Sequence, residues 1–151
     1  MYYSDLIVRV ISYVPEYDSF VFVVDLGHPE DERELRPFGG KWERQDPTPA
    51  DTAVREGKEE TLMDLSEHTF RFVTSFGNEK GRLIVLLLCI VDKETVSRMG
   101  ETESDMPFLV PRSRVITGGT FRGYRFHHAY RRITIDTAIP MIDYLLATAR
   151  A

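Results

Sequence analysis

An uninterrupted apolar run, residues 83–91 (LIVLLLCIV), most strongly restricts the folds open to this chain of 151 residues. The run contains nine residues, whereas a membrane-spanning helix needs about 20. We therefore interpret it as a buried β-strand. Residues 69–77 are also typical of a strand, and the intervening NEKG sequence indicates a β-hairpin.

Other β-rich segments are expected to extend the same sheet. Residues 6–14 and 20–26 predict a second hairpin, because a turn-forming sequence, PEYDS, separates them. Short strands are expected at residues 107–111 and 114–116 (PFLVP and RVI). Residues 117–132 (TGGTFRGYRFHHAYRR) resemble a loop rich in Gly and Arg. Within them, residues 121–132 are open to two interpretations, a segment that stacks a base and binds phosphate, or an alternating strand whose arginines face water.

Two helices are predicted beside these strands. The first is expected from about Ala50 to about Met63, with Thr48 or Asp51 as its N-cap. The second is an amphipathic C-terminal helix that begins or kinks near Pro140. Strands with one central and one C-terminal helix predict an α+β or α/β sandwich that contains a mixed sheet.

The composition narrows the classes of partner and of compartment. The net charge is −5, which argues against bulk electrostatic attraction to nucleic acid or to anionic membranes. Cys89 is the one cysteine, so no internal disulfide can form, as fits a reducing cytosol. The first ten residues lack a basic segment followed by an apolar run, so no signal peptide is evident and a cytoplasmic location is expected.

Three glutamates cluster in the sequence REGKEE. On a helix, Glu56, Glu59 and Glu60 share one face, and such like charges repel each other. A glycine pair, Gly39 and Gly40, precedes this helix and permits close approach of the backbone to a ligand. An oxygen-only cluster at this spacing suits a hard divalent cation such as Mg²⁺ or Mn²⁺.

A solvated helix face is the alternative interpretation of these glutamates. Charged runs usually face solvent, and Arg55 and Lys58 offset part of the repulsion. From REGKEE alone, both interpretations stay open.

The wider segment resembles the signature of the Nudix hydrolases. That signature is a glycine, five residues, an acid, seven residues, and then R-E-U-x-E-E-x-G-U, where U is a bulky apolar residue. Here Gly40 opens the pattern and TPADTAVREGKEE closes most of it, over about 25 of the 151 residues. The resemblance implies a single domain over residues 1–151 with an αβα sandwich fold. It also implies metal-dependent hydrolysis of a pyrophosphate that is linked to another moiety.

The chain departs from the family pattern at three places. Asp46 stands where the family has Glu, and one extra residue, taken as Pro47, follows it. Gly57 occupies a position where a bulky apolar residue is usual. Leu62 replaces the glycine that ends the helix, so we expect the helix to continue towards Leu65. None of these changes removes a carboxylate.

The resemblance implies roles for five residues of this segment. Glu56, Glu59, Glu60 and the carbonyl of Gly39 would bind the metal. Glu59 and Glu60 would also take part in catalysis, and Arg55 would orient the glutamates by ion pairing.

Four residues outside this set are further candidates. Glu103, in the acidic GETESDMPF segment, would supply the late-loop acid that many family members use. Arg36, Lys41 and Arg125 would bind substrate phosphate. A plain polar loop and solvent-facing charges are the alternative interpretations for these four residues.

The expected activity is that of a pyrophosphohydrolase acting on a small-molecule nucleotide derivative. Nucleoside triphosphates, nucleotide sugars, dinucleoside polyphosphates and capped RNA are the candidate substrates, and the sequence does not choose among them. No membrane partner is expected, and a homodimer is an expectation from the family. The alternatives are a Nudix-like module that binds a nucleotide or metabolite without turnover, and an interaction scaffold.

Overall fold

A computed structural model describes residues 5–149 of the chain. Its strands are β1 Asp5–Val14, β2 Ser19–Asp25, β3 Glu34–Leu35, β4 Phe38–Lys41, β5 Phe70–Gly77, β6 Arg82–Ile90, β7 Asp105–Pro111, β8 Thr120–Phe121 and β9 Tyr124–Phe126. The main sheet has the order β5, β6, β1, β2, β7, with β4 also paired to β1. β1 and β6 are parallel, whereas the other neighbours in this sheet are antiparallel. The sheet is therefore mixed, and both predicted hairpins are present.

The apolar run lies in β6, between β5 and β1 in the main sheet. Its side chains alternate between two hydrophobic cores, with Leu86 and Leu88 in one and Leu87 and Cys89 in the other. The prediction of a buried strand is thus confirmed. A strand that is apolar on both faces requires cover on both sides of the sheet.

Helices provide that cover. They are α1 Pro49–Thr61, α2 Lys93–Val96, α3 Arg112–Thr117, α4 His128–Ile133 and α5 Ile139–Ala149. α1 contributes Ala53 to one core, and α5 contributes Ile139 and Ile142 to the other. A π-helical turn, Thr134–Ala138, joins α4 to α5 next to Pro140. The sandwich predicted from the sequence is confirmed, and no helix within residues 5–149 is long and apolar enough to span a membrane.

Two local predictions are wrong. Residues 114–116 lie in α3 and not in a strand. Residues 117–132 contain β8, β9 and α4, so the loop prediction is wrong, whereas the alternating-strand interpretation holds for β9, on which Arg125 is exposed. A small second sheet forms from β3, β9 and β8. Phe121, Phe126 and Tyr130 are buried in the same core as α5. Burial of these aromatic side chains therefore decides the local structure, despite the high content of Gly and Arg.

Different interactions determine where α1 begins and where it ends. At the start, Thr48 and Asp51 form a reciprocal capping box. At the end, Leu62 adopts a left-handed conformation with φ of 67°, so the expected continuation towards Leu65 is wrong. Met63 and Leu65 are fully buried, and the turn at Leu62 directs both side chains into the core.

Replacing Leu62 by Gly is expected to stabilise the protein. A left-handed backbone costs an ordinary residue roughly 1–2 kcal/mol, and 42% of Leu62 is exposed, so little burial is lost. We expect a gain of about 1 kcal/mol, or about 2–4 °C in melting temperature. Leu62→Ala is the matched control, because it shortens the side chain and retains Cβ. A Leu62→Gly protein that melts at or below wild type would contradict this account.

Candidate active site

A split in the main sheet forms a polar cleft beside β1. One edge of β1 pairs with β2 through residues 12–14 and with β4 through residues 7–10. The two partner strands therefore diverge at this edge. Charged side chains from β1, β2, β7, α1 and the segment before β4 interact there: Arg9, Asp25, Asp105, Glu60 and Arg36.

The glycine pair allows two close approaches at this cleft. Gly39 has φ of 151°, and a Cβ atom at this position would overlap the carbonyl oxygen of Val8. Its N–H donates a hydrogen bond of 2.8 Å to Oε2 of Glu60. A Cβ atom on Gly40 would overlap the carboxylate of Glu56. The pair therefore lets α1 bring two carboxylates against β4.

Arg55 ties the preceding loop to α1. Its Nε and Nη2 atoms donate to the two carboxylate oxygens of Asp46 at 3.2 and 2.8 Å, and Asp46 also accepts from the hydroxyl of Thr52. The guanidinium lowers the pKa of Asp46 well below its usual range, and Asp46 in turn raises the pKa of Arg55. Pro47 is an exposed residue between Asp46 and the helix cap, so the extra residue leaves this ion pair intact.

The same guanidinium reaches two of the clustered glutamates. Nη1 of Arg55 lies 3.0 Å from Oε1 of Glu56 and 3.8 Å from Oε2 of Glu59. Glu56 is mostly buried, whereas the Glu59 side chain is 59% exposed. Arg55 is thus placed to orient both carboxylates, the role that the resemblance implies for it.

Glu60 is the most deeply buried of the three glutamates. Burial, together with the negative charge of Asp105, raises the pKa of Glu60 to about 8, although the Gly39 N–H opposes this shift. Burial also raises the pKa of Glu56, with a further contribution from the charge of Glu59. Such buried acids with raised pKa values are typical of functional sites.

In the acidic segment GETESDMPF, the structure places Asp105, the first residue of β7, and not Glu103, next to Glu60. Asp105 is 3% exposed, and within residues 5–149 its Oδ2 atom has no hydrogen-bond partner. Glu103 is exposed. The sequence offers several acids in this segment, and the signal that distinguishes Asp105 is its position directly before the apolar residues of β7.

The candidate phosphate-binding residues lie in three different environments. Arg36 is partly buried and its Nη2 lies 3.0 Å from Oδ2 of Asp25. Lys41 is exposed and forms an ion pair of 3.0 Å with Asp5. Arg125 is exposed on β9 in the small second sheet. Of the three, Arg36 lies in the polar cleft that contains Glu60 and Asp105.

The chemistry of the cleft fits a hard divalent cation. The atoms available as metal ligands are carboxylate oxygens and a carbonyl oxygen, as Mg²⁺ and Mn²⁺ prefer. The Oδ2 atom of Asp105, which has no hydrogen-bond partner among the described residues, is a further possible ligand atom. The side chains are not yet assembled around one point, since no three Asp, Glu, His or Cys residues within residues 5–149 are arranged to hold a metal ion.

Comparison with known proteins identifies the fold. No family model and no curated protein sequence matches the chain. Among solved structures, MutT described from Aliivibrio salmonicida and Vibrio cholerae superimposes with a TM-score of 0.61 and 17% identity, over 83% of this chain and 89% of the other. A MutT/Nudix family protein from Enterococcus faecalis gives a TM-score of 0.67 and 17% identity, over 92% of this chain and 62% of the other.

A third structure agrees with these two. The E. coli ORF135 protein superimposes with a TM-score of 0.52 and 20% identity, over 74% of this chain and 78% of the other. The chain therefore has the fold of the MutT and Nudix proteins, which confirms the architecture that the sequence resemblance implied.

The glycine pair gives a prediction that separates folding from ligand binding. Gly40→Ala forces only the flexible end of the Glu56 side chain to move, so the metal-free protein should fold with a melting temperature near that of wild type. Its affinity for Mg²⁺, measured by calorimetry, should fall by at least ~10-fold, because a carboxylate with a new position loses its ligand geometry. Gly39→Ala, which meets the backbone of Val8, should fail to fold stably. Wild-type Mg²⁺ affinity in Gly40→Ala would argue against Glu56 as a ligand.

The raised pKa of Glu60 predicts how stability depends on pH. A group that binds its proton more tightly in the folded state stabilises the fold at low pH, and this contribution disappears as the pH rises through the folded pKa. For Glu60 the ordinary value is 4.5 and the folded value about 8. In EDTA, the melting temperature should therefore fall between about pH 5 and about pH 8.

Glu60→Gln is the matched variant for this measurement, because its amide oxygen still accepts from Gly39. The melting temperature of this variant should fall less steeply with pH than that of wild type. Some decline should remain, because the pKa values of Glu56 and Asp105 are raised as well. If the melting temperatures of the two proteins fell in parallel with rising pH, the raised pKa of Glu60 would not be the cause of the decline.

Proposed function

We propose that this protein is a Nudix-type hydrolase that cleaves a phosphoric anhydride bond in a small-molecule nucleotide derivative, with Mg²⁺ or Mn²⁺ as cofactor. The observation that carries this proposal is the buried carboxylate of Glu60, which the Gly39 N–H fixes next to Glu56 and Asp105. This arrangement lies in a chain with the fold of MutT and Nudix proteins.

Glu56, Glu59, Glu60 and the Gly39 carbonyl would hold the cation. A bound divalent cation would screen the dense negative charge of a pyrophosphate group and polarise its oxygens. Of these ligands, Glu56 and Glu60 are already held against the glycine pair. Glu59 is more exposed, and its side chain would turn inward when the cation binds.

A buried carboxylate also supplies the proton transfer that hydrolysis requires. The attacking water must lose a proton as it forms a bond to phosphorus, and a carboxylate within hydrogen-bond reach can accept that proton. Glu60 lies buried beside the other proposed ligands, and a bound cation would favour its ionised form, which can accept a proton. Glu59 is the second candidate, and Asp105 takes the place that the sequence assigned to Glu103.

Substrate selection rests on residues around the cleft. Arg36 is the best placed of the three candidates to bind phosphate, because it lies in the cleft that contains Glu60 and Asp105. Lys41 and Arg125 are proposed to contact the outer parts of the substrate. Nucleoside triphosphates, nucleotide sugars and dinucleoside polyphosphates are the substrate classes that fit this proposal, and capped RNA is a further one. A cytoplasmic location is proposed from the single cysteine and the N-terminal sequence, and a homodimer is proposed from the family resemblance.

A binding module without turnover is the second candidate function. The observation that favours it is the arrangement of the proposed metal ligands, because no three acidic side chains within the described part of the chain converge on one point. Arg9 also donates a hydrogen bond of 3.2 Å to the Gly39 carbonyl, which is one of the proposed metal ligands. A protein that only binds nucleotides would keep the cleft without completing the metal site.

Hydrolysis assays separate the two candidates. Purified protein should release phosphate or pyrophosphate from at least one nucleotide derivative in Mg²⁺ and not in EDTA. Glu59→Gln and Glu60→Gln should each reduce turnover by at least ~100-fold, the scale of losing a general base or a charge-stabilising group. Glu94→Gln, at an exposed position on α2, is the matched control and should retain full activity. Binding of a nucleotide without turnover in Mg²⁺ or Mn²⁺ would favour the binding module.

A further inference from the structure

Arg9 is a partly buried charge on β1, between the fully buried residues Val8 and Val10. Its Nη1 donates hydrogen bonds to the carbonyl oxygens of Pro37 and Gly39 at 3.4 and 3.2 Å. Within residues 5–149, its Nε atom is buried without a hydrogen-bond partner. No ion pair of Arg9 is present in that part of the chain either. The guanidinium therefore has donors that the protein itself does not use.

Arg36 is a second guanidinium in the same cleft with an unused donor. Its Nη2 contacts Asp25, whereas its Nε is buried and unpartnered among the described residues. Burial, and next the positive charge of Arg9, lowers the pKa of Arg36. Arg9 also donates to the carbonyl oxygen of Pro37, the residue that follows Arg36, so the two guanidinium groups lie near enough to repel each other. Such repulsion needs a compensating negative charge.

Charge balance against the acids of the cleft is the simplest explanation of this pair. Glu60 and Asp105 are close enough to feel the charge of Arg9. However, Arg9 forms no hydrogen bond or ion pair with either carboxylate in the described part of the chain, and buried N–H groups without acceptors destabilise the fold. If the two arginines only balanced the charge of the acids, the acids would accept hydrogen bonds from the buried Nε atoms of Arg9 and Arg36, and within residues 5–149 they do not. Unused donors from two guanidinium groups in one cleft indicate an anionic ligand from outside.

We propose that Arg9 and Arg36 form a phosphate-binding pair that holds the pyrophosphate group of the substrate beside Glu60. The planar guanidinium matches phosphate oxygens in a bidentate geometry, and its hydrogen bonds to Pro37 and Gly39 hold it in the cleft while no ligand is bound. The inference rests on the proposed function, because it assumes that a pyrophosphate group enters this cleft. It adds Arg9, a residue outside the glutamate-bearing segment, as a residue that binds and positions the substrate.

Calorimetry with methylenediphosphonate tests this pair without turnover, because its P–C–P bridge resists hydrolysis. In saturating Mg²⁺, Arg9→Gln and Arg36→Gln should each weaken binding of the probe by at least ~10-fold, the loss expected for one charge-assisted pair. Arg9→Lys should bind with intermediate affinity, because it keeps the charge and loses the bidentate geometry. Arg71→Gln, exposed on β5, removes the same charge away from the cleft and should bind like wild type.

A second titration, with Mg²⁺ alone, identifies the competing explanation. Unchanged probe affinity in Arg9→Gln together with tighter Mg²⁺ binding would show that Arg9 only balances the acids, and would overturn the proposal. Absence of probe binding to wild type would overturn it as well. If Arg9→Gln does not fold, the proposal is overturned when Arg9→Lys and Arg36→Gln both bind the probe with wild-type affinity.

The two proposals fail in different ways. Hydrolysis by wild type with equal probe affinity in all variants would remove the arginine pair and leave the enzyme. Weaker probe binding in the Arg9 and Arg36 variants without hydrolysis by wild type would support the pair and remove the enzyme.

Discussion

The close packing of Gly39 against β1 is the contact on which the rest of the cleft depends. Because a Cβ atom at Gly39 would overlap the backbone of β1, only glycine lets β4 lie at this distance. The N–H of the residue then binds Glu60 of α1, and its carbonyl oxygen accepts from Arg9 of β1. Gly39 thus orients both the buried carboxyl group of Glu60 and the partly buried guanidinium group of Arg9. Phe38, fully buried in the core, fixes the strand on its other side.

Burial of like charges at this contact has a cost in stability that a ligand would recover. Burial raises the pKa of both Glu60 and Asp105, and the negative charge of Asp105 raises the pKa of Glu60 further. With a pKa of about 8, Glu60 is largely protonated at neutral pH in the metal-free protein. A divalent cation would favour the ionised form, so its binding would release a proton. Loss of intrinsic stability at such a site is the usual counterpart of function.

Local rules account for the parts of the structure that the sequence predicts. The hairpins and the capping box at Thr48 depend on neighbouring residues, and both are present. The left-handed turn at Leu62 was not predicted, because it follows from the burial of later residues in a core that no local pattern describes. Asp105 could not be separated from Glu103 for the same reason. Arg9 did carry a signal, since it shares one face of an alternating strand with the core residue Ile11.

The difference between an enzyme and a binding module reduces to the freedom of a few side chains. The bidentate ion pair of Arg55 with Asp46 holds α1 against the preceding loop, so the backbone of the glutamate-bearing helix has a fixed position. Nη1 of the same arginine lies within 3.8 Å of the exposed Glu59, and rotation of that side chain requires no movement of the helix. Assembly of a metal site would therefore need side-chain rotation and displacement of Arg9 from the Gly39 carbonyl. A phosphate group that draws Arg9 towards itself would free that carbonyl, so substrate and cation would each favour the binding of the other.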